Sequence, residues 1–160
     1  MNTFFKLSIL FLCVLITSCS DSNEQEAEET GNNNTETVSI ETEILRLINE
    51  HRNSKNLSTL EISEIIKSQT DAHTDYMIAK GEISHDNFGD RSDYLKANDD
   101  AKSMAENVAI GYSSAKSVVN GWLNSEGHRK NIEGNYTHFN VTAKQNNGGT
   151  WYYTNIFTRK

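Results

Sequence analysis

The chain has 160 residues, of which 22 are acidic and 15 basic, for a net charge of −7. Six of the acidic residues fall between Ser20 and Ser39, and one basic residue, Lys6, lies near the N-terminus, so the remainder carries only about −2. A globular part this close to neutrality lacks the basic surface that nucleic acids require, which argues against them as partners.

The first 18 residues have the composition of a secretory signal peptide: Lys6 near the start, an apolar stretch over residues 7–16, and small polar residues before Cys19. About ten apolar residues are too few to cross a bilayer, so the segment predicts export and no membrane span. Residues 15–19, Leu-Ile-Thr-Ser-Cys, resemble a bacterial lipobox, in which the cysteine becomes the lipidated first residue. The alternative is an ordinary cleavage site just before Cys19.

Lipidation of Cys19 predicts an exported lipoprotein on the outer membrane or the cell surface. Its acyl chains, contributing about 0.8 kcal/mol per buried methylene, would hold the protein on a membrane. Residues 19–39 are acidic and almost free of apolar side chains, which predicts a disordered tether. Since Cys13 lies in the signal and Cys19 takes the lipid, no disulfide is available, and residues 40–160 must form one domain around their own core.

Two helices are predicted where apolar residues recur at three- and four-residue steps. The first covers about residues 42–53, with Ser39 or Thr42 as its cap. The second carries its apolar stripe over residues 62–77, and Gly81 follows its last turn as a C-cap. This second helix is expected to be the central helix of the core.

The middle of the chain is less regular. Residues 83–100 lose the periodicity and are rich in Ser, Asp, Asn and Gly, which predicts a long ordered loop or a pair of short turns. The spacing of Met104, Ala105, Val108 and Ala109 predicts a brief helix that ends at Gly111.

The last third of the chain predicts one more helix and then a hairpin. The helix has an apolar stripe that ends at Trp122, and Ser113 or Ser114 caps it. Residues 139–158 contain an alternating segment, an Asn-Asn-Gly-Gly turn and a β-branched, aromatic run, which together predict two antiparallel strands. Helices followed by an antiparallel sheet, without βαβ alternation, indicate the α+β class.

Three polar clusters place histidine and glutamate beside turn residues: Ser84-His85-Asp86, Ala105-Glu106-Asn107 and Ser125-Glu126-Gly127-His128-Arg129. Each cluster alone is commonplace on a protein surface. His73 lies on the apolar stripe of the second helix, where a hydrogen-bonded core histidine is commoner than a ligand.

Taken together and in order, these clusters resemble the CAP superfamily, also called the SCP or pathogenesis-related-1 family, in its short bacterial form. The resemblance covers residues 44–157, and its most specific parts are the Ala-Glu-Asn and Trp-x-x-Ser-x-Gly-His-Arg signatures. It implies an α-β-α sandwich, in which a small antiparallel sheet lies between helices.

The resemblance also implies a cavity lined by two histidines and two acidic residues. Three of these carry over as His85, Glu106 and His128. The fourth position falls on Ser125, while the nearby acid is Glu126. If a helix continues to His128, Ser125 shares its face and Glu126 does not, so Glu126 lines the cavity only if the helix ends before it.

Two neutral imidazoles and a carboxylate are suitable ligands for a divalent ion such as zinc, magnesium or calcium, so His85 and His128, with Glu106, are the candidate metal ligands. Without metal, the same groups are suited to acid–base chemistry. The sequence contains neither an H-E-x-x-H motif nor a G-x-S-x-G elbow.

Three functions remain open. The favoured one is a membrane-anchored module that binds a lipid or a peptide, with metal as an optional modulator. The second is a metal-assisted hydrolase of envelope peptides or polysaccharide, in which Glu106 is the general base. The third is a structural surface protein. The sequence does not decide whether the protein is an enzyme.

Overall fold

A computed structural model describes residues 38–160, so the predicted signal peptide, Cys19 and all but the last residues of the predicted tether lie outside the described part of the chain. The elements are α1 (Ile40–Ser54), β1 (Glu61–Ile62), α2 (Glu64–Lys80), α3 (Phe88–Asn98), β2 (Ser103–Ile110), α4 (Ala115–Asn124), α5 (Glu126–Ile132), β3 (His138–Gln145) and β4 (Trp151–Arg159). Within this range no helix is long and apolar enough to cross a bilayer.

The strands form one sheet in the order β1-β3-β4-β2, in which β1 is parallel to β3 and the other pairs are antiparallel. Odd-numbered strand residues such as Phe139 and Tyr153 pack with α1, α4 and α5. Even-numbered ones such as Ile156 and Tyr152 pack with α2 and α3. The sheet therefore lies between two helical layers, and the α+β class and the α-β-α sandwich are confirmed.

Several predicted helix ends are confirmed by their caps. The hydroxyl of Ser39 accepts the Thr42 N–H at 3.1 Å, and α1 extends slightly beyond the predicted range at both ends. Gly81 ends α2 with φ of +80°, a left-handed conformation that glycine adopts without steric cost. Ser114 caps α4 through a reciprocal bond with Ser117.

The brief helix predicted over residues 104–111 is wrong, because this segment is strand β2, paired with β4 along its length. Both faces of the strand are covered by helices, so residues from Ala105 to Ala109 are buried in succession. A strand buried on both faces does not alternate in hydrophobicity, and four apolar residues at helical steps were the stronger signal.

The loop predicted over residues 83–100 is correct only at its two ends, residues 83–87 and 99–100, because Phe88–Asn98 form helix α3. Only Arg91 and Leu95 are buried on this helix, so it has no apolar stripe to detect. It begins after Asn87, which adopts a left-handed conformation with φ of +58°.

β1 pairs only with the first residues of β3. Further along this outer edge, side-chain oxygens accept hydrogen bonds from the backbone N–H groups of β3. The Val141 N–H donates to Oδ1 of Asn140 at 2.8 Å. The Ala143 N–H donates to Oε1 of Glu41 at 2.9 Å, which links β3 to the first turn of α1.

Candidate functional site

The segment between α2 and α3 is held in place by side chains of α2. Nε2 of His73 lies 2.8 Å from the carbonyl oxygen of Ser84. Because a carbonyl only accepts, Nε2 carries the proton and donates it. The Ser84 N–H in turn lies 3.5 Å from Sδ of Met77. His73 is thus a buried, hydrogen-bonded residue, as predicted, and it sets the position of His85 one residue further on.

Glu106 is the central charged group of the site. It lies on the even-numbered face of β2 and is 5% exposed. Arg91 of α3 donates from Nε to Oε2 and from Nη2 to Oε1, both at 2.8 Å. Nη1 of Arg91 also donates to the carbonyl oxygen of Asp86 at 2.7 Å. This arrangement is a buried two-point ion pair that joins α3 to the sheet.

His85 completes the environment of Glu106. Its Nδ1 lies 2.8 Å from Oε1 of the carboxylate. Since an ionised carboxylate only accepts, Nδ1 donates to it, and Nε2 is the ring nitrogen that Glu106 does not engage. The His85 side chain is 53% exposed, so that nitrogen is accessible from solvent.

His128 is positioned by a break between two helices. Ser125 separates α4 from α5 in an extended conformation with ψ of 120°. The amide of Asn107 on β2 donates to the carbonyl oxygen of His128 at 3.1 Å, and Asn131 of α5 donates to Oδ1 of Asn107 at 2.9 Å. Burial, and then the proximity of His85, lower the pKa of His128 below its usual value. His128 is therefore held as a neutral ring close to His85.

A cavity of about 270 Å³ opens at this place. Its walls are mainly apolar, and Ser125 and His128 contribute polar side chains beside the start of α5. The lining residues are Ile83, Val108, Ala109, Ile110, Tyr112, Gly121, Trp122, Ser125 and His128. Nε1 of Trp122 donates to the carbonyl oxygen of Val108 at 3.2 Å, which fixes the indole against the edge of β2.

Of the four predicted cavity residues, His85 and Glu106 are joined directly and His128 lies in the neighbouring cavity. Glu126 is elsewhere: its carboxylate pairs with Lys130 at 2.7 Å, and both side chains are 73% exposed. The helix does end before it, but α5 then begins with Glu126 directed to solvent. Ser125 takes the place in the cavity wall.

Sequence reasoning did not find the apolar half of this cavity. Tyr112 and Gly121 meet only because the turn after β2 leads directly into α4, and no local pattern marks such a contact. Arg91 was not among the predicted site residues. Its partner is Glu106, on the strand that was predicted to be a helix.

A second and larger groove of about 520 Å³ lies beside α1 and β1. Its lining residues are Thr42, Leu45, Arg46, Asn49, Leu60, Glu61, Ile62 and Phe139. It contains no histidine and none of the predicted site residues.

Glu106 is not free to act as a third ligand beside His85 and His128, whose role as metal ligands stays a prediction. Among residues 38–160 no group of three or more His, Cys, Asp or Glu side chains is arranged to hold a metal ion. Both oxygens of Glu106 are engaged by Arg91, and Oε1 also accepts from His85. An arginine in contact with both oxygens supplies the positive charge that a metal would supply.

The fold and this site define the CAP class of domain. The model of the CAP family, the cysteine-rich secretory protein family, matches residues 45–157, and the chain belongs to this family.

Two proteins of Bacillus subtilis (strain 168) are similar to this chain. YkwD, named as uncharacterized, is 33% identical over 115 residues, which is 69% of this chain and 44% of that protein. YlbC, named as an uncharacterized membrane protein, is 32% identical over 124 residues, which is 75% of this chain and 34% of that protein. The chain therefore spans less than half the length of either relative.

Solved structures share the fold. An extracellular protein with an SCP domain from Bacillus anthracis is 30% identical with a TM-score of 0.65, and the match covers 76% of this chain and 40% of that one. An outer surface protein from Borrelia burgdorferi has a TM-score of 0.66 at 21% identity, and the match covers 73% of this chain and 90% of that one. At that identity the likeness shows the fold alone.

Proposed function

We propose that this protein is an extracytoplasmic module, anchored through a lipid on Cys19, that binds its ligand in the cavity between β2 and α5. The location is supported by the lipobox-like segment before Cys19 and by the Bacillus anthracis relative, which is named as an extracellular protein. Binding is supported by an apolar cavity in which Ser125 and His128 present polar groups.

Between a lipid and a peptide, the size of the cavity favours the peptide. At about 270 Å³ it is smaller than the pockets of about 300–1,000 Å³ that enclose most small-molecule ligands. It has room for one apolar side chain of a longer ligand, whereas an acyl chain or a sterol would extend beyond it.

The backbone of β2 provides the second argument. The Gly111 N–H donates to the Trp151 carbonyl oxygen, so odd-numbered residues of β2 bond to β4 and even-numbered ones face the outer edge. Trp122 and Asn131 occupy the outward carbonyls of Val108 and Glu106. By the same alternation the N–H groups of Val108 and Ile110 point to the outer edge of β2, where no strand of residues 38–160 pairs with it. An extended peptide beside this edge would supply carbonyl oxygens to accept from them.

The observation that carries this proposal is the apolar cavity beside Val108 and Ile110, whose N–H groups face the edge of β2 that no strand of residues 38–160 pairs with. The test begins with full-length protein purified in detergent and a displayed library of linear peptides. Selected peptides should bind, and N-methylation of their backbone at alternate positions should weaken binding, because each methyl group blocks a strand-pairing hydrogen bond. A stoichiometric lipid recovered by solvent extraction, or selected peptides indifferent to N-methylation, would contradict this mode of binding.

One observation favours a hydrolase as the second candidate. Glu106 holds His85 through Nδ1 and leaves Nε2 exposed, which is the arrangement of a general base oriented by a carboxylate. In this version the chemistry runs without metal. Hydrolysis of envelope peptides or polysaccharide fragments that is lost in His85→Gln, with the fold intact, would support it. Equal rates in the two proteins would exclude it.

A further inference from the structure

The buried carboxylate of Glu106 has its neutralising charge built into the chain. Only 1% of its side chain is exposed, and the Arg91 side chain against it is 7% exposed. A charge removed from water must be paired and hydrogen-bonded, and two parallel bonds at 2.8 Å do both.

We infer that Arg91 is the resident cation of this site: its guanidinium occupies the position next to Glu106 that a divalent metal would take, and it keeps metal ions out. This inference concerns the charge of the site and stands independently of which ligand the neighbouring cavity binds.

The surroundings of the guanidinium explain why the position suits a cation. It lies among the two oxygens of Glu106 and the carbonyl oxygen of Asp86, while Nδ1 of His85 is bonded to the same carboxylate. Carboxylate, carbonyl and imidazole groups are the ligands that divalent ions use in proteins. The two carboxylate oxygens and the Asp86 carbonyl oxygen converge on one point, and the guanidinium already fills it.

Neighbouring basic side chains do not share this role. Nε2 of His73 lies 3.8 Å from Oε1 of Glu106, beyond hydrogen-bond distance, and is occupied by Ser84. Lys80 is bonded to Asp86 at its carboxylate, outside the cluster. Arg91 alone among residues 38–160 contacts both oxygens of Glu106.

The experiment is calorimetric titration of the purified protein with zinc and, separately, calcium, after treatment with a chelator. Wild type should take up neither ion at the site, and chelator should leave its melting temperature unchanged. Arg91→Met retains the aliphatic part of the side chain and removes the charge. It should bind one ion per chain at least about tenfold more tightly than the detection limit of the titration at which wild type shows no binding, and metal should raise its melting temperature.

Two controls make the result specific. Adding Glu106→Gln to Arg91→Met should abolish the new binding, since the carboxylate is its principal ligand. Arg129→Met removes an arginine of α5 that is bonded to the Leu123 carbonyl, and it should create no metal site. If Arg91→Met does not fold, Arg91→Gln tests the same loss of charge with a side chain that still hydrogen-bonds.

The outcomes are distinct. Metal binding by wild type that is lost in Glu106→Gln overturns the inference, because the guanidinium would then not exclude metal. If folded Arg91→Met and Arg91→Gln also bind no ion, Arg91 is not what keeps metal out, and the inference fails equally. Uptake by the Arg91 variants only, dependent on Glu106, supports it.

Discussion

His73 and Glu106 face each other between α2 and β2, with Nε2 of the imidazole 3.8 Å from Oε1 of the carboxylate and 1% of either side chain exposed. Burial lowers the pKa of His73 below its usual value of 6.5, and the charge of Glu106 offsets only part of that effect. The ring is thus neutral in the folded protein at pH values where the unfolded chain already binds a proton.

This difference predicts a loss of stability in mild acid. Because the folded pKa is lowered, the contribution of His73 is complete above about pH 6.5 and is lost as the pH falls below it. The free energy of unfolding, measured by urea titration at about pH 7.5 and about pH 5.5, should fall in wild type. His73→Gln, which cannot take up a proton, should show a smaller fall. His138→Gln, at the less buried start of β3, serves as the control and should keep the wild-type fall.

Replacing Trp122 by phenylalanine should destabilise the domain by about 1–3 kcal/mol, because the carbonyl of Val108 loses its buried donor. Trp122 is 2% exposed and also packs edge-to-face with Tyr153 at 6.4 Å. Trp151→Phe is the matched control: Trp151 stacks on the same Tyr153 but is only partly buried, so its loss should cost about 1 kcal/mol or less. Equal losses in the two variants would show that the Val108 bond contributes little.

Gly121→Ala should weaken ligand binding without unfolding the domain. A Cβ atom at Gly121 would clash with the Tyr112 hydroxyl, so the ring must move within the cavity that both residues line. The expected loss of affinity for a selected peptide is about tenfold, equivalent to about 1.4 kcal/mol. Gly127→Ala is the control, because a Cβ there meets nothing within 4 Å and Gly127 is outside the cavity wall. Unchanged affinity in Gly121→Ala would argue for binding elsewhere, for instance in the groove beside α1.

Cys19→Ser should release the protein from the membrane. Without a thiol to acylate, the exported chain has no lipid, so in detergent phase separation it should move from the detergent phase to the aqueous one. Cys13→Ser changes a cysteine within the predicted signal and should leave the protein in the detergent phase. If both variants partition as wild type does, Cys19 is not the anchor.

The sequence predicts the ends of helices better than the identity of irregular segments. Ser39, Gly81 and Ser114 act through local hydrogen bonds and backbone conformation, which the neighbouring residues determine. Strand β2 could not be recognised in the same way, since both of its faces are buried and its partner β4 is more than 40 residues further along the chain. Helix α3 buries a single apolar side chain, Leu95, and so leaves almost no pattern.

The residues of the candidate site also divide into those that a local motif predicted and those that depend on contacts between distant elements. The family signatures indicated His85, Glu106 and His128, each of which lies within a short motif that can be read directly from the chain. They did not indicate that Arg91 neutralises the charge of Glu106, because this ion pair joins a helix and a strand that were not predicted. The choice between Ser125 and Glu126 depended on where one helix ends, and helix ends within a polar segment are determined by packing rather than by local residues.

The hydrogen bond between Glu41 and β3 affects whether two copies of this domain can associate. An uncovered strand edge is a template for pairing with another chain, and if the proposed lipid on Cys19 holds the protein at a membrane, it would meet its own copies often. The carboxylate of Glu41 takes the Ala143 N–H and places a negative charge where the carbonyl oxygen of an incoming strand would have to approach. The first turn of α1 thereby discourages self-association through β3, and crowding at a membrane would leave each domain separate.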